Sequence, residues 1–407
     1  MSSAFTWIDY SESARRRMLD TISLFREAGT VDDLGLGTVR DTFADLLFPG
    51  TSTIQTRARY FLLIPFIYLE LERGKILSRE AAQWARKKEV RLIDVLIKSG
   101  QKEGVFGIEA RDSLRRLPSH VYWQGLAVWG IRVFQGSQEQ YHRSLDRFYA
   151  RTAGRAARRE EGFEQLDRTS INWHPGLPSV PRDLWDTTTL VLTQEEAGYL
   201  RERIMARTPG SLLAFLVDQG TMAERTAYPW SHPDYGVFPK KNRVELEHAH
   251  NFSLVMYGAA LLYNLMLAEK QRDNEGQPKL AKDYEAALDH WTSEMDERQP
   301  MLCRWERDKF WGIVTNKNPR ITVPTRKFID AWLDIALEDH RAVRIKGSPQ
   351  TRQLIERREK MTKGPRARLQ NPRALELWRG AAGAYRFEYR WHVAQTIVGD
   401  ILAGLKG

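Results

Sequence analysis

The chain has 407 residues, 42% of them hydrophobic and 11% aromatic, with thirteen tryptophans, so it can bury more than one core and is expected to form two packed subdomains. A single cysteine, Cys303, excludes an internal disulfide framework and a cysteine-clustered zinc site, and fits a reducing, cytoplasmic setting. The formal net charge of +10 is uneven: residues 341–379 hold twelve basic and three acidic side chains, whereas residues 1–340 hold 47 of each sign.

Most of the chain reads as helix. Ser11 caps a predicted helix to Arg26, with Met18, Ile22 and Phe25 on one face and Gly29 as its stop. A second covers Thr38 to Phe48 and ends at Pro49-Gly50. The run TSTIQTRARYFLLIPFIYLELERG predicts a third, hydroxyl-capped and kinked at Pro65. Ser78 opens another to Lys98, the glycines of SGQKEGVFG break the chain, and Pro118-Ser119 precedes an aromatic helix, HVYWQGLAVWGIRVF. Residues 161–190, with prolines at 175, 178 and 181, read as a linker or a strap across the surface. Thr193 and Glu196 have capping-box spacing for a helix from 194 to 207, and Pro209 sits just ahead of the apolar SLLAFLVDQ.

The stretch from His248 to Ala268 carries no formal charge and is the only candidate membrane span. A span needs about 20 predominantly apolar residues, but this one contains Asn251, Ser253, Tyr257, Tyr263 and Asn264. It is expected instead to be a buried central helix, near 246–269, with no membrane partner. Residues 278–340 are helical again apart from NKNPRITVPTR, and a final helix is predicted over 384–405. The expected fold class is therefore mainly α, with an N-terminal domain over 1–160, a second over 191–340 and a basic C-terminal segment with its helix over 341–407.

The localised positive charge is the footprint of an anionic partner. Arg357, Arg358, Lys360, Lys363, Arg366, Arg368, Arg373 and Arg379 are candidate phosphate contacts for DNA or RNA, and Trp378 could stack on an exposed base. The competing reading makes Leu369, Leu375, Leu377 and Trp378 core and leaves the arginines on a solvated face. A second candidate is the ridge of Arg143, Arg147, Arg151, Arg155 and Arg159, spaced by four on one helix. A third is the anion-friendly start at Thr51, Ser52, Thr53, Gln55, Arg57 and Arg59, where capping is the favoured role.

Catalytic signatures are missing. The chain contains no P-loop, no G-x-G-x-x-G after a strand, no H-E-x-x-H, no G-x-S-x-G and no H-x-K pair. Glu245, Glu247, His248 and His250 are the nearest thing to a metal cluster, but residues two apart on a helix face different directions. No cofactor, metal or catalytic residue is expected, and Cys303 reads as a small hydrophobe rather than a nucleophile.

The motifs FTWIDYSES, LGLGTVRDTFADLLFPGTSTIQTRARYFLLIPFIY, GVFGIEARDSLRRLPSHVYWQGLAVWGI, HAHNFSLVMYGAALLYNLMLAE and YRWHVAQTIVGDILAGL resemble an uncharacterised bacterial family, a domain of unknown function, over nearly the whole chain. The resemblance implies a genomic context beside helicases and phospholipase-D-like nucleases in antiphage defence loci. It implies no activity and no site residues. Together these readings predict a non-catalytic, nucleic-acid-associated subunit of a defence system. The alternatives are a protein-interaction scaffold for a helicase or nuclease, and an enzyme of unrecognised type using Glu245, Glu247 and the nearby histidines.

Overall fold

The apolar run YFLLIPFIYLELER folds as a helix, Tyr60–Arg73, with every residue from Tyr60 to Tyr68 buried together with Leu71. A helix apolar on all sides belongs in a protein interior, and much of the architecture follows that rule. The computed structural model describes residues 33–108, 114, 116–160, 171–220, 224–275, 278–338 and 340–407, the stretches 154–160, 272–275, 278 and 342 by backbone alone. The predicted helix Ser11–Arg26 lies outside the described residues.

Among these residues there are fifteen α-helices and no strand, so the fold is mainly α. In chain order they are α1 (Gly37–Leu47), α2 (Tyr60–Arg73), α3 (Ser78–Lys98), α4 (Pro118–Val128), α5 (Gln138–Glu160), α6 (Gln194–Arg207), α7 (Leu212–Gln219) and α8 (Lys240–Glu275). Then follow α9 (Pro278–Leu302), α10 (Arg307–Lys317), α11 (Val323–Glu338), α12 (Ala342–Gly347), α13 (Pro349–Lys363), α14 (Pro372–Glu376) and α15 (Trp391–Lys406).

The aromatic helix α4 ends at Val128 rather than near Phe134, the central helix α8 runs beyond 246–269 at both ends, and two helices start several residues later than the sequence predicts. The helix predicted from Thr51 begins only at Tyr60, because residues 51–59 are held in turns: the Thr51 hydroxyl donates to Phe48 O at 2.6 Å, and Gln55 accepts from Ser52 N at 3.1 Å. The final helix starts at Trp391 rather than 384. Tyr389 and Arg390 precede it with φ of 56° and 66°, backbone that L-residues adopt at a cost of about 1–2 kcal/mol each. Their side chains hold that conformation. Tyr389 donates to Ala249 O at 2.6 Å, and Arg390 to Asp45 at 2.6 Å and Thr51 O at 2.8 Å.

The chain divides into two compact units that do not follow sequence order. Unit 1 comprises the described part of residues 1–38 with 252–305 and 321–386; unit 2 comprises 39–251, 306–320 and 387–407. Residues 171–190, the described part of the stretch read as a linker or strap, lie wholly within unit 2. There they strap onto α2, because Trp173 Nε1 donates to Glu72 at 3.1 Å and Trp185 Nε1 to Glu70 at 2.7 Å.

In unit 2, Tyr68, Trp123, Tyr141 and Trp173 form one aromatic cluster with edge-on and tilted ring contacts. Helices α6 and α15 pack closely enough to need a glycine: a Cβ on Gly404 would lie 2.9 Å from Ala197 Cβ. The Thr193–Glu196 capping box opens α6 as its spacing predicts. In unit 1, a Cβ on Gly258 of α8 would meet the Trp291 ring of α9 at 2.4 Å. The indoles of Trp291 and Trp332 donate to Leu254 O and Val255 O, both at 2.8 Å. By length and composition α8 could cross a membrane, yet 89% of its most apolar window is buried inside the protein.

Candidate nucleic-acid interface

Helix α13 decides how much of the basic segment faces outward. Ser348 caps it by accepting from Thr351 N at 3.2 Å, and Pro349 takes the first helical position. From there the periodicity sorts the side chains. Thr351, Ile355, Arg358, Glu359 and Lys363 are buried, while Arg357, Lys360 and Met361 are exposed.

The inward cations are structural, which corrects three predicted phosphate contacts. Arg358 Nε donates to Leu34 O at 2.7 Å and its Nη2 to Thr325 Oγ1 at 2.9 Å, with the guanidinium 5.1 Å from the Phe328 ring centre. Lys363 Nζ lies 3.0 Å and Arg368 Nη1 2.6 Å from Asp33 Oδ1, and the Asp33 side chain is only 4% exposed. Charge withdrawn from water is tolerated when it is paired, and Asp33 supplies the partner charge to buried Lys363 and to half-buried Arg368. Glu359, fully buried, accepts the backbone N–H groups of Arg368 at 2.7 Å and Leu369 at 3.0 Å, together with the Tyr263 hydroxyl at 2.5 Å. This network fixes the turn between α13 and α14.

Trp378 is also corrected. It is 4% exposed, in the core with Leu369 and Leu375, and has no face free for a base; Leu377 points outward instead. Arg352, at the start of α13, is taken by Glu269 at 2.6 Å.

What remains outside is a smaller set. Arg357, Lys360, Arg373 and Arg379 are exposed and make no ion pair among the described residues, and Arg366 is half-buried. Arg357 and Lys360 stand three apart on one helical face. Lys360 and Pro372, whose neighbour is Arg373, line the same shallow hollow, floored by Ala367 and rimmed by Gln370 and Asn371. The only acids in this segment besides buried Glu359 are Glu356, which accepts from Gln370 at 3.2 Å, and Glu376.

The arginine ridge lies on α5, in unit 2. Arg143, Arg147 and Arg151 are exposed on the described helix, and Arg143 pairs with Glu139 one turn earlier. The side chains of Arg155 and Arg159 lie outside the described residues. The third candidate is a structural site: Arg57 is bidentate to Asp400 at 2.8–3.0 Å, and Arg59 donates to Glu196 at 2.9 Å and to Thr189 O at 2.8 Å.

Glu245 accepts from Asn242 at 3.1 Å, His248 lies against Phe310, and His250 stacks on Trp230 with centroids 4.2 Å apart. These groups turn to different neighbours, and no set of three or more metal-ligating side chains converges among the described residues. Sequence reasoning missed Asp33. One acid in VDDLGLG carries no local sign that it will neutralise cations 330 and 335 residues later.

No curated protein and no solved structure matches the chain. A family model does match, over residues 1–404, and the chain accordingly belongs to DUF6361, a family of unknown function.

Proposed function

We propose that the protein binds nucleic acid through Arg357, Lys360, Arg373 and Arg379, as a non-catalytic subunit of a bacterial antiphage system. The observation that supports the binding reading is the sorting of charge: inward cations have partners, whereas these four reach solvent with none among the described residues. Unpaired Lys and Arg on one segment bind phosphates by releasing counterions. Arg143, Arg147 and Arg151 are further contacts of the same kind. The defence role rests on the genomic company that the family resemblance implies.

A labelled duplex and a labelled single strand, titrated from about 50 to about 300 mM salt, test the reading. The quadruple alanine variant at 357, 360, 373 and 379 is expected to keep its helical CD signal and to flatten the log–log slope by roughly 0.9 per lost duplex contact. An unchanged slope for both strands overturns it. The second reading, an acidic helicase or phospholipase-D-like nuclease surface as partner, is favoured by the exposed apolar Met361 (63%) and Leu377 (58%) beside these cations. It predicts that the purified protein binds no nucleic acid and that the same variant loses its co-purifying protein.

A further inference from the structure

Unit 2 holds a cavity of about 330 Å³ beside α15, at the small end of the range for ligand sites. Three features of its wall point to a ligand. First, His232 is 8% exposed, and its Nδ1 accepts from Asp234 N at 3.1 Å. That bond places the ring proton on Nε2, which has no partner among the described residues, and burial lowers the pKa so that the ring stays neutral. Second, Arg225 spends one Nη on Thr396 Oγ1 at 2.8 Å and leaves the rest of its fork to the opening.

Third, Gly399 sits within α15, where glycine is disfavoured relative to alanine. An added Cβ there would meet nothing within 4 Å, unlike Gly404 five residues later, so packing does not require glycine at 399. Its missing side chain keeps the cavity wall open.

The remaining lining narrows the ligand class. Arg57 is committed to Asp400, and the wall as a whole carries two cations against three carboxylates, which disfavours an anion. Leu216, Trp391 and Val398 supply an apolar surface suited to a flat ring. We propose that this cavity binds an uncharged planar heterocycle of the nucleobase or nucleoside class, whose acceptor edge takes the His232 Nε2–H and an Arg225 N–H. Glu224, at the rim, is placed to accept from an amino or hydroxyl group. The inference is independent of the nucleic-acid reading, since it uses none of the four outward cations.

Calorimetric titration and saturation-transfer NMR of the full chain with adenosine, guanosine, cytidine and uridine test it, with inorganic phosphate and glycine betaine as charged comparators. At least one nucleoside is expected to bind in preference to both comparators. Gly399→Leu, which fills the cavity from a position with room for a side chain, should abolish that binding with the CD spectrum unchanged. Arg225→Ala, at an exposed residue, should weaken it roughly tenfold. Absence of nucleoside binding at millimolar concentration, preference for phosphate or betaine, or binding indifferent to Gly399→Leu would each overturn the proposal.

Discussion

Replacing Glu89 by glutamine is expected to stabilise the protein at neutral pH and above. Helix α3 buries Glu89 completely against the start of α4, where one carboxylate oxygen accepts Ser119 N at 2.8 Å and the other, Oε1, has no hydrogen-bond partner among the described residues. Burial pushes the carboxyl from its ordinary 4.5 up to about 7, against the lowering effect of the Ser119 hydrogen bonds. The folded state thus holds this proton more tightly than the unfolded chain does. The stability that Glu89 contributes is complete below about pH 4.5 and is lost as pH rises through about 7. The span from 4.5 to about 7, at about 1.4 kcal/mol per pH unit, amounts to about 3 kcal/mol. Glutamine keeps an oxygen for Ser119 N and carries no charge to desolvate. Urea unfolding of both proteins near pH 5 and near pH 8 reads the difference, because all other titrations are common to the two. The variant's advantage should grow by about 2–3 kcal/mol between those pH values. Parallel pH dependences for the two proteins would refute the reasoning.

Asp33→Asn leaves buried Lys363 and half-buried Arg368 without their carboxylate, and is expected to cost about 3–5 kcal/mol in denaturant unfolding. A loss below about 1 kcal/mol would mean that water reaches those cations. Gly404→Val forces side-chain atoms into Ala197 and Leu192, already 2.9 Å from a Cβ, and should lower stability by about 1–3 kcal/mol, whereas Gly399→Ala should be neutral or stabilising. Equal effects at the two glycines would contradict the packing assigned to α15. Trp378→Phe is expected to leave nucleic-acid affinity unchanged, since the indole is core; a selective loss of single-strand binding in the gel-shift assay would place that ring at the surface.

Local signals were legible in the sequence. Thr193 and Glu196 mark the start of α6, and the apolar run from Tyr60 to Tyr68 marks a helix. Helical period and capping act within one turn, so residue order alone carries them. The same locality explains the misplaced start of α15: its preceding residues are bent by Tyr389 and Arg390, whose partners are Ala249, Asp45 and Thr51.

The candidate site was legible only as a sum of charge. Composition located nine net positive charges in residues 341–379, but it could not tell which of the cations would reach solvent. Folding brought Asp33 to Lys363 and Arg368, seated Arg358 against Leu34 and Thr325, and took Trp378 into the core. The cavity was invisible for the same reason, its wall being drawn from positions as distant as Arg57, His232 and Gly399. Helix formation depends on neighbours a few residues apart, whereas desolvation and charge pairing depend on whatever atoms the folded chain brings within a few ångströms.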